Sequence, residues 1–167
     1  MSDPSYIAAR RALLDALEAI VEHRSSIVLV GAQAVYVHAG ESDIAVAPTT
    51  TDGDLAIDPQ LLSPEPLLEE ALESAGFVPH ADGVGIWQIS LDVGGTPRTV
   101  HIDLLVPNSL GGAGRRGARI PPHGKRVARK VVGLEGALVD RRKSGNGPWA
   151  CWTITSNSTS VIAGRLS

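Results

Sequence analysis

Thr50-Thr51-Asp52-Gly53-Asp54-Leu55-Ala56-Ile57-Asp58 is the stretch on which both fold and chemistry turn. From Asp54 to Asp58 polar and apolar residues alternate, which predicts a half-buried strand ending before Pro59. Residues two apart on a strand share a face, so the carboxylates of Asp52 and Asp54 project together. Like charges this close repel, and one acid resists ionisation unless a cation or a hydrogen-bond donor compensates. Magnesium would relieve the conflict, because it takes one or two carboxylates and fills its remaining positions with water and phosphate oxygens. The alternative is a solvated Asx-turn at the start of a strand, which Asp-Gly also favours.

Two flanking segments sharpen this reading. Ile27-Val28-Leu29-Val30 is short and β-branched between Ser26 and Gly31, a pattern that predicts a buried strand. It runs through Gly31-Ala32 into a short helix expected over 32–38, and residues 41–51 are expected as a loop. A small-residue turn of this kind lets a phosphate approach the backbone and meet the free N–H groups of a helix start. Downstream, Val100-His101-Ile102-Asp103-Leu104-Leu105-Val106 sets an acid inside an apolar strand. Leu104, Leu105 and Val106 do not alternate, so both faces of that strand should be covered. A carboxylate there needs a partner, either a cation shared with Asp52 and Asp54 or an arginine. His101 shares the face of Asp103.

The rest of the chain fills in a frame. Asp3-Pro4 predicts a helix start, with Ile7, Leu13, Leu14, Leu17, Ile20 and Val21 as its apolar face. Ser63-Pro64 predicts a second helix reaching Ser74, with Gly76 as its stop. Val84 to Leu91 and Thr99 to Val106 are predicted strands on either side of the Gly94-Gly95 turn. Gly111 to Lys125 is predicted as a loop, and Val127 to Val139 as a strand followed by a helix. The order points to an α+β fold, a small mixed sheet covered by helices. Residues 1–143 are expected to form one core, and 144–167 an irregular tail, truncated or disordered.

Composition narrows the classes further. With 167 residues and 43% apolar content, the chain suits one globular domain. It holds no apolar run of the roughly 18 residues a membrane helix needs, and its first 24 residues carry no signal-peptide core. Its single cysteine, Cys151, excludes an internal disulfide and a cysteine zinc site, and the cytoplasm is the expected compartment. Net charge is −3, divided into −12 over residues 1–110 and +9 over 111–167. Such polarity either presents a basic surface to a polyanion or folds one half onto the other. Gly112-Ala113-Gly114-Arg115-Arg116-Gly117 mimics a dinucleotide fingerprint, but Pro121-Pro122 forbids the helix that must follow. Arg115, Arg116 and Arg119 remain as expected contacts to triphosphate or RNA phosphates, against a plain solvated loop.

A glycine turn, an acid pair on a strand and a third acid on a later strand match the logic of metal-assisted phosphoryl transfer. In these residues the chain resembles the nucleotidyltransferase superfamily, and more closely the AbiEii-type nucleotidyltransferases, toxins of type IV toxin–antitoxin systems. The similarity runs over about residues 5–140 and is carried by Gly31 to His38, Thr50 to Leu55 and His101 to Val106. It implies a nucleotidyltransferase fold, Mg2+, a nucleoside triphosphate donor, an RNA acceptor such as tRNA, and a cognate antitoxin protein. By carry-over Asp52 and Asp54 would be catalytic metal ligands, and Asp103 a third ligand or the base for the attacking hydroxyl. Gly31, Ala32 and Thr51, with Arg115 and Arg116, would hold the nucleotide. The chain departs from the family pattern in having Ala32 for the second small residue and Pro48 for an arginine. It also lacks, after Lys143, the usual helical region with its lysine. A transferase acting on a small hydroxylated compound, and a degenerate core that binds without turnover, are the alternatives.

Overall fold

The computed structural model of the chain describes residues 4–31, 52–139, 141–144 and 151–154, the last two segments by their backbone. Helix α1 (Pro4–Ala19) and a 3-10 turn (Val21–Ser26) lead into β1 (Ile27–Val30). Then come β2 (Asp52–Ile57), α2 (Leu68–Ser74), β3 (Val78–Pro79), β4 (Ile86–Val93) and β5 (Thr96–Pro107). The chain continues through β6 (Arg129–Val131), α3 (Glu135–Val139), β7 (Arg141–Ser144) and β8 (Cys151–Ile154). Among the described residues eight strands form one mixed sheet, in the order β3-β4-β5-β2-β1-β8-β7, with β6 alongside β5. The fold is α+β, with helices on both faces of the sheet. No described helix is long and apolar enough to cross a membrane.

The two faces follow from strand parity. Ile27 and Leu29, Leu55 and Ile57, and Ile102, Leu104 and Val106 point to one side, where α1 and α2 bury them in the larger core. Val28, Val30, Ala56 and Leu105 point to the other, against Ala137 and Leu138 of α3. Leu104, Leu105 and Val106 are thus covered on both faces, as their unbroken apolarity predicts.

The stripe of α1 that packs is mostly alanine: Ala8, Ala9, Ala12, Leu13 and Ala16 are buried, while Ile7 and Leu14 stand 39% and 38% exposed. Of the large apolar residues expected on that face, Leu13 and Ile20 are buried and Leu17 packs against the core, whereas Ile7 and Leu14 do not. Small side chains let the helix lie close on the sheet, and Gly53 completes the fit. A Cβ at Gly53 would stand 2.8 Å from Ile102 and 3.1 Å from Leu13.

Four elements differ from their expected bounds. Helix α2 begins at Leu68 instead of Ser63-Pro64, since the residue before Pro66 is steered away from helical dihedrals. Strand β2 begins at Asp52 instead of Asp54, and the β4–β5 hairpin runs to the turn itself, where Gly94 and Gly95 both have positive φ. The two-residue β3 was not foreseen. Strand β8 pairs in parallel with β1 and antiparallel with β7, so the sheet extends into the segment read as an irregular tail. The helix expected over 32–38, the 41–51 loop and the Asp3 cap lie outside the described residues.

Two buried histidines fix the segment before α2. His23 Nε2–H donates to Pro66 O at 2.8 Å, and His123 Nε2–H donates to Ser63 O at 2.9 Å. His123 Nδ1 accepts the Leu68 N–H at 3.2 Å, which caps the start of α2. The rings meet edge to face at 5.5 Å, and His23 Nδ1 is buried without a hydrogen-bond partner among the described residues. Burial, and then the charge His123 would carry, lower the proton affinity of His23, with Pro66 O and Glu22 opposing. A histidine kept neutral in the fold contributes stability above its unfolded pKa of 6.5 and loses it as pH falls below that value. Thermal melts should therefore show the wild-type midpoint dropping from pH 6.5 to 5 more steeply than that of His23→Asn. Parallel slopes would contradict this.

Candidate active site

Strand order brings the chemistry together. Strands β1 and β2 run antiparallel with Val30 opposite Asp54, so Gly31 sits against the Asp54 side chain. Gly31 has φ +75°, and a Cβ there would run into the Asp54 carboxylate. Glycine is required twice over, by backbone conformation and by the acid beside it.

Strands β2 and β5 run parallel, pairing Asp52 with His101 and Asp54 with Asp103. Asp54 and Asp103 lie two residues from Ala56 and Leu105, so both face the α3 side of the sheet. The three acids therefore share one face.

Arg129 is the residue that sequence reasoning did not single out here. Strand β6 continues the edge of β5 that β4 vacates, with Leu105 opposite Arg129. Arg129 Nη2 donates to Asp103 Oδ2 at 2.5 Å. Gly85 makes the exchange of strands possible: its N–H donates to Arg126 O, and its carbonyl accepts the Leu104 N–H at 2.7 Å. Its φ is +73°, and a Cβ would stand 2.5 Å from Arg129 N and 2.8 Å from Leu104 O.

The electrostatics are uneven. Burial, and then the neighbouring Asp103, raise the proton affinity of Asp54; Arg129 offsets part of this and Asp52 adds to it. Asp52 lies at the open edge with His101 Nδ1 at 3.7 Å, and the His80 ring meets that of His101 edge-on at 5.6 Å. Beyond Asp54 a cleft of about 670 Å³ opens between the sheet and α3. Gly31, Asp54 and Arg129 form its polar floor, and Val30, Leu105 and Ala137 its apolar walls.

Among the described residues no three His, Cys, Asp or Glu side chains gather at metal-centre spacing. Asp103 is instead engaged by a guanidinium, the partner that sequence reasoning kept as its alternative to a cation. Asp52 and Asp54 remain as the acid pair toward a divalent cation. They fit one: two hard oxygen donors on one face, one of them raised in proton affinity by burial and then by its neighbours.

Arg115 and Arg116 lie on the exposed loop after β5. The Arg116 carbonyl accepts the Lys130 N–H at 2.8 Å, and Gly117 bridges Arg129, so the loop flanks β6. The side chains of Arg115, Arg116 and Arg119 are exposed, and no hydrogen bond or ion pair engages them among the described residues. Ala32 and Thr51 lie outside the described residues.

Gly85→Ala should destabilise the chain well beyond Gly95→Ala. Both meet the cost of a left-handed conformation, roughly 1–2 kcal/mol, but only at Gly85 does backbone block the new methyl. Denaturant melts of both variants check this, and equal losses would count against the strand exchange at Gly85. Comparison of the chain with protein-family models, with curated proteins and with solved structures gives no match.

Proposed function

We propose that the chain is a magnesium-dependent nucleotidyltransferase, moving a nucleotide from a nucleoside triphosphate to an acceptor hydroxyl. One observation carries this reading: the glycine turn after β1 is seated on an acid of the Asp52/Asp54 pair, with a third acid in register on the parallel neighbour. Asp52 and Asp54 would hold the cation. When bound, the ion supplies charge stabilisation at the phosphorus and its leaving group.

The chain's own residues do the rest. The bare backbone at Gly31 accommodates the Asp54 carboxylate and lines the cleft that would take the triphosphate. Arg129 places a positive charge on the lining of the same cleft, beside the apolar Val30, Leu105 and Ala137. Asp103, whose Oδ1 is outside the bond to Arg129, takes the proton of the acceptor hydroxyl.

The exposed arginines beside β6 favour a polyanionic acceptor, RNA such as tRNA, over a small hydroxylated compound. The toxin role, the cognate antitoxin and the cytoplasmic setting rest on the family resemblance alone.

Incubation with Mg2+ and each α-labelled nucleoside triphosphate, over tRNA and over small hydroxylated acceptors, tests the proposal. Label is expected on RNA. Asp54→Asn should lose at least about 100-fold in rate, because the charge stabilisation it anchors is worth several kcal/mol. Equal labelling by wild type and Asp54→Asn would overturn the site assignment. Nucleotide binding with no transfer to any acceptor would replace the reading with that of a binding domain.

A further inference from the structure

We infer that Arg129 is a built-in counter-cation of the site: it holds Asp103 in the free protein and moves to the phosphates of the bound nucleotide. Cation and phosphate binding are thereby coupled through one guanidinium. The inference rests on the function proposed above and specifies how that same site is regulated.

The geometry of Arg129 is that of a shared group. Its Nη2 bonds Asp103, whose side chain is 14% exposed, while its own side chain is 39% exposed and lines the cleft with Gly31 and Asp54. Its Nε is buried with no hydrogen-bond partner among the described residues. A guanidinium carries five N–H donors in a rigid planar fork, and a bond to one carboxylate oxygen leaves most of them unspent. Phosphate oxygens match that fork as closely as a carboxylate does. A ligand phosphate entering the cleft therefore meets the exposed part of a guanidinium that lines it.

The consequence for the cation is electrostatic. While Arg129 cancels the charge of Asp103, a divalent cation sees the field of Asp52 and Asp54 alone. Once a phosphate draws the guanidinium away, Asp103 adds a third negative charge next to Asp54, its register partner on β2. Cation binding then strengthens when nucleotide is present. A lysine at position 129 would not serve equally, since an ammonium is a point charge and cannot bridge a carboxylate and a phosphate in one plane.

Calorimetric titration of the full chain with Mn2+ alone, and separately with inorganic pyrophosphate in metal-free buffer, tests this. Arg129→Gln should bind Mn2+ roughly tenfold more tightly than wild type, because a unit positive charge within a few ångströms of the cation is gone. The same variant should lose a comparable factor in pyrophosphate affinity. Asp103→Asn leaves Arg129 charged but without its partner. It should bind pyrophosphate more tightly than wild type and Mn2+ less tightly, and it serves where Arg129→Gln does not fold. Unchanged Mn2+ affinity in Arg129→Gln, or unchanged pyrophosphate affinity in Asp103→Asn, would overturn the inference. Neither titration reads nucleotide transfer. A chain that shows both shifts yet labels no acceptor would therefore disprove the catalytic role and leave the counter-cation in place.

Discussion

Two carboxylates, Asp54 and Asp103, are locked side by side by the parallel register of β2 and β5. Neither can move off the other without slipping a central strand pair, and a slip of one residue would turn every side chain of β2 to the wrong face. The larger core forbids that, because Leu55 and Ile57 are fully buried beneath α1 and α2. Hydrophobic burial on one face thus enforces electrostatic conflict on the other. The conflict is visible in Asp54, whose proton affinity rises with burial and with the charge of its neighbour.

The rest of the site reads as a response to that conflict. Arg129 neutralises one acid, and it can do so only because β6 takes over the edge of β5 where β4 departs at Gly85. Gly31, having no side chain, accommodates the carboxylate of the other acid. On the opposite face the alanine stripe of α1 and the bare Gly53 bring helix and sheet into close contact, which stiffens the platform that carries the acids. Preorganised charge of this kind is what stabilising a developing phosphoryl charge requires.

Local chemistry was legible in the sequence, and long-range pairing was not. The acid pair on β2, the acid inside β5 and the two-glycine turn between β4 and β5 follow from period, burial cost and positive φ, each a property of a few neighbouring residues. The sequence could say that Asp103 needs a partner, yet seven basic residues between 115 and 130 offered themselves with no acid among them. Only the register of β6 selects Arg129. The packed face of α1 was legible only in part, through Leu13, Leu17 and Ile20, because alanine contributes little to an apolar stripe while allowing the closest approach. The start of α2 was misread because Ser63-Pro64 looks like a helix cap, whereas two distant histidines bond the Ser63 and Pro66 carbonyls and the chain stays non-helical until Leu68. Strand β8 lies far from β1 in sequence and has no periodicity of its own.

Crystals grown with Mn2+ and a non-hydrolysable nucleoside triphosphate would test the central claim most directly, through the anomalous signal of the metal. The expected result is a peak bound by Asp52 and Asp54, with a phosphate against Gly31 and the guanidinium of Arg129 turned toward it. A metal peak elsewhere, or a nucleotide bound away from Gly31 with Arg129 still on Asp103, would contradict the account.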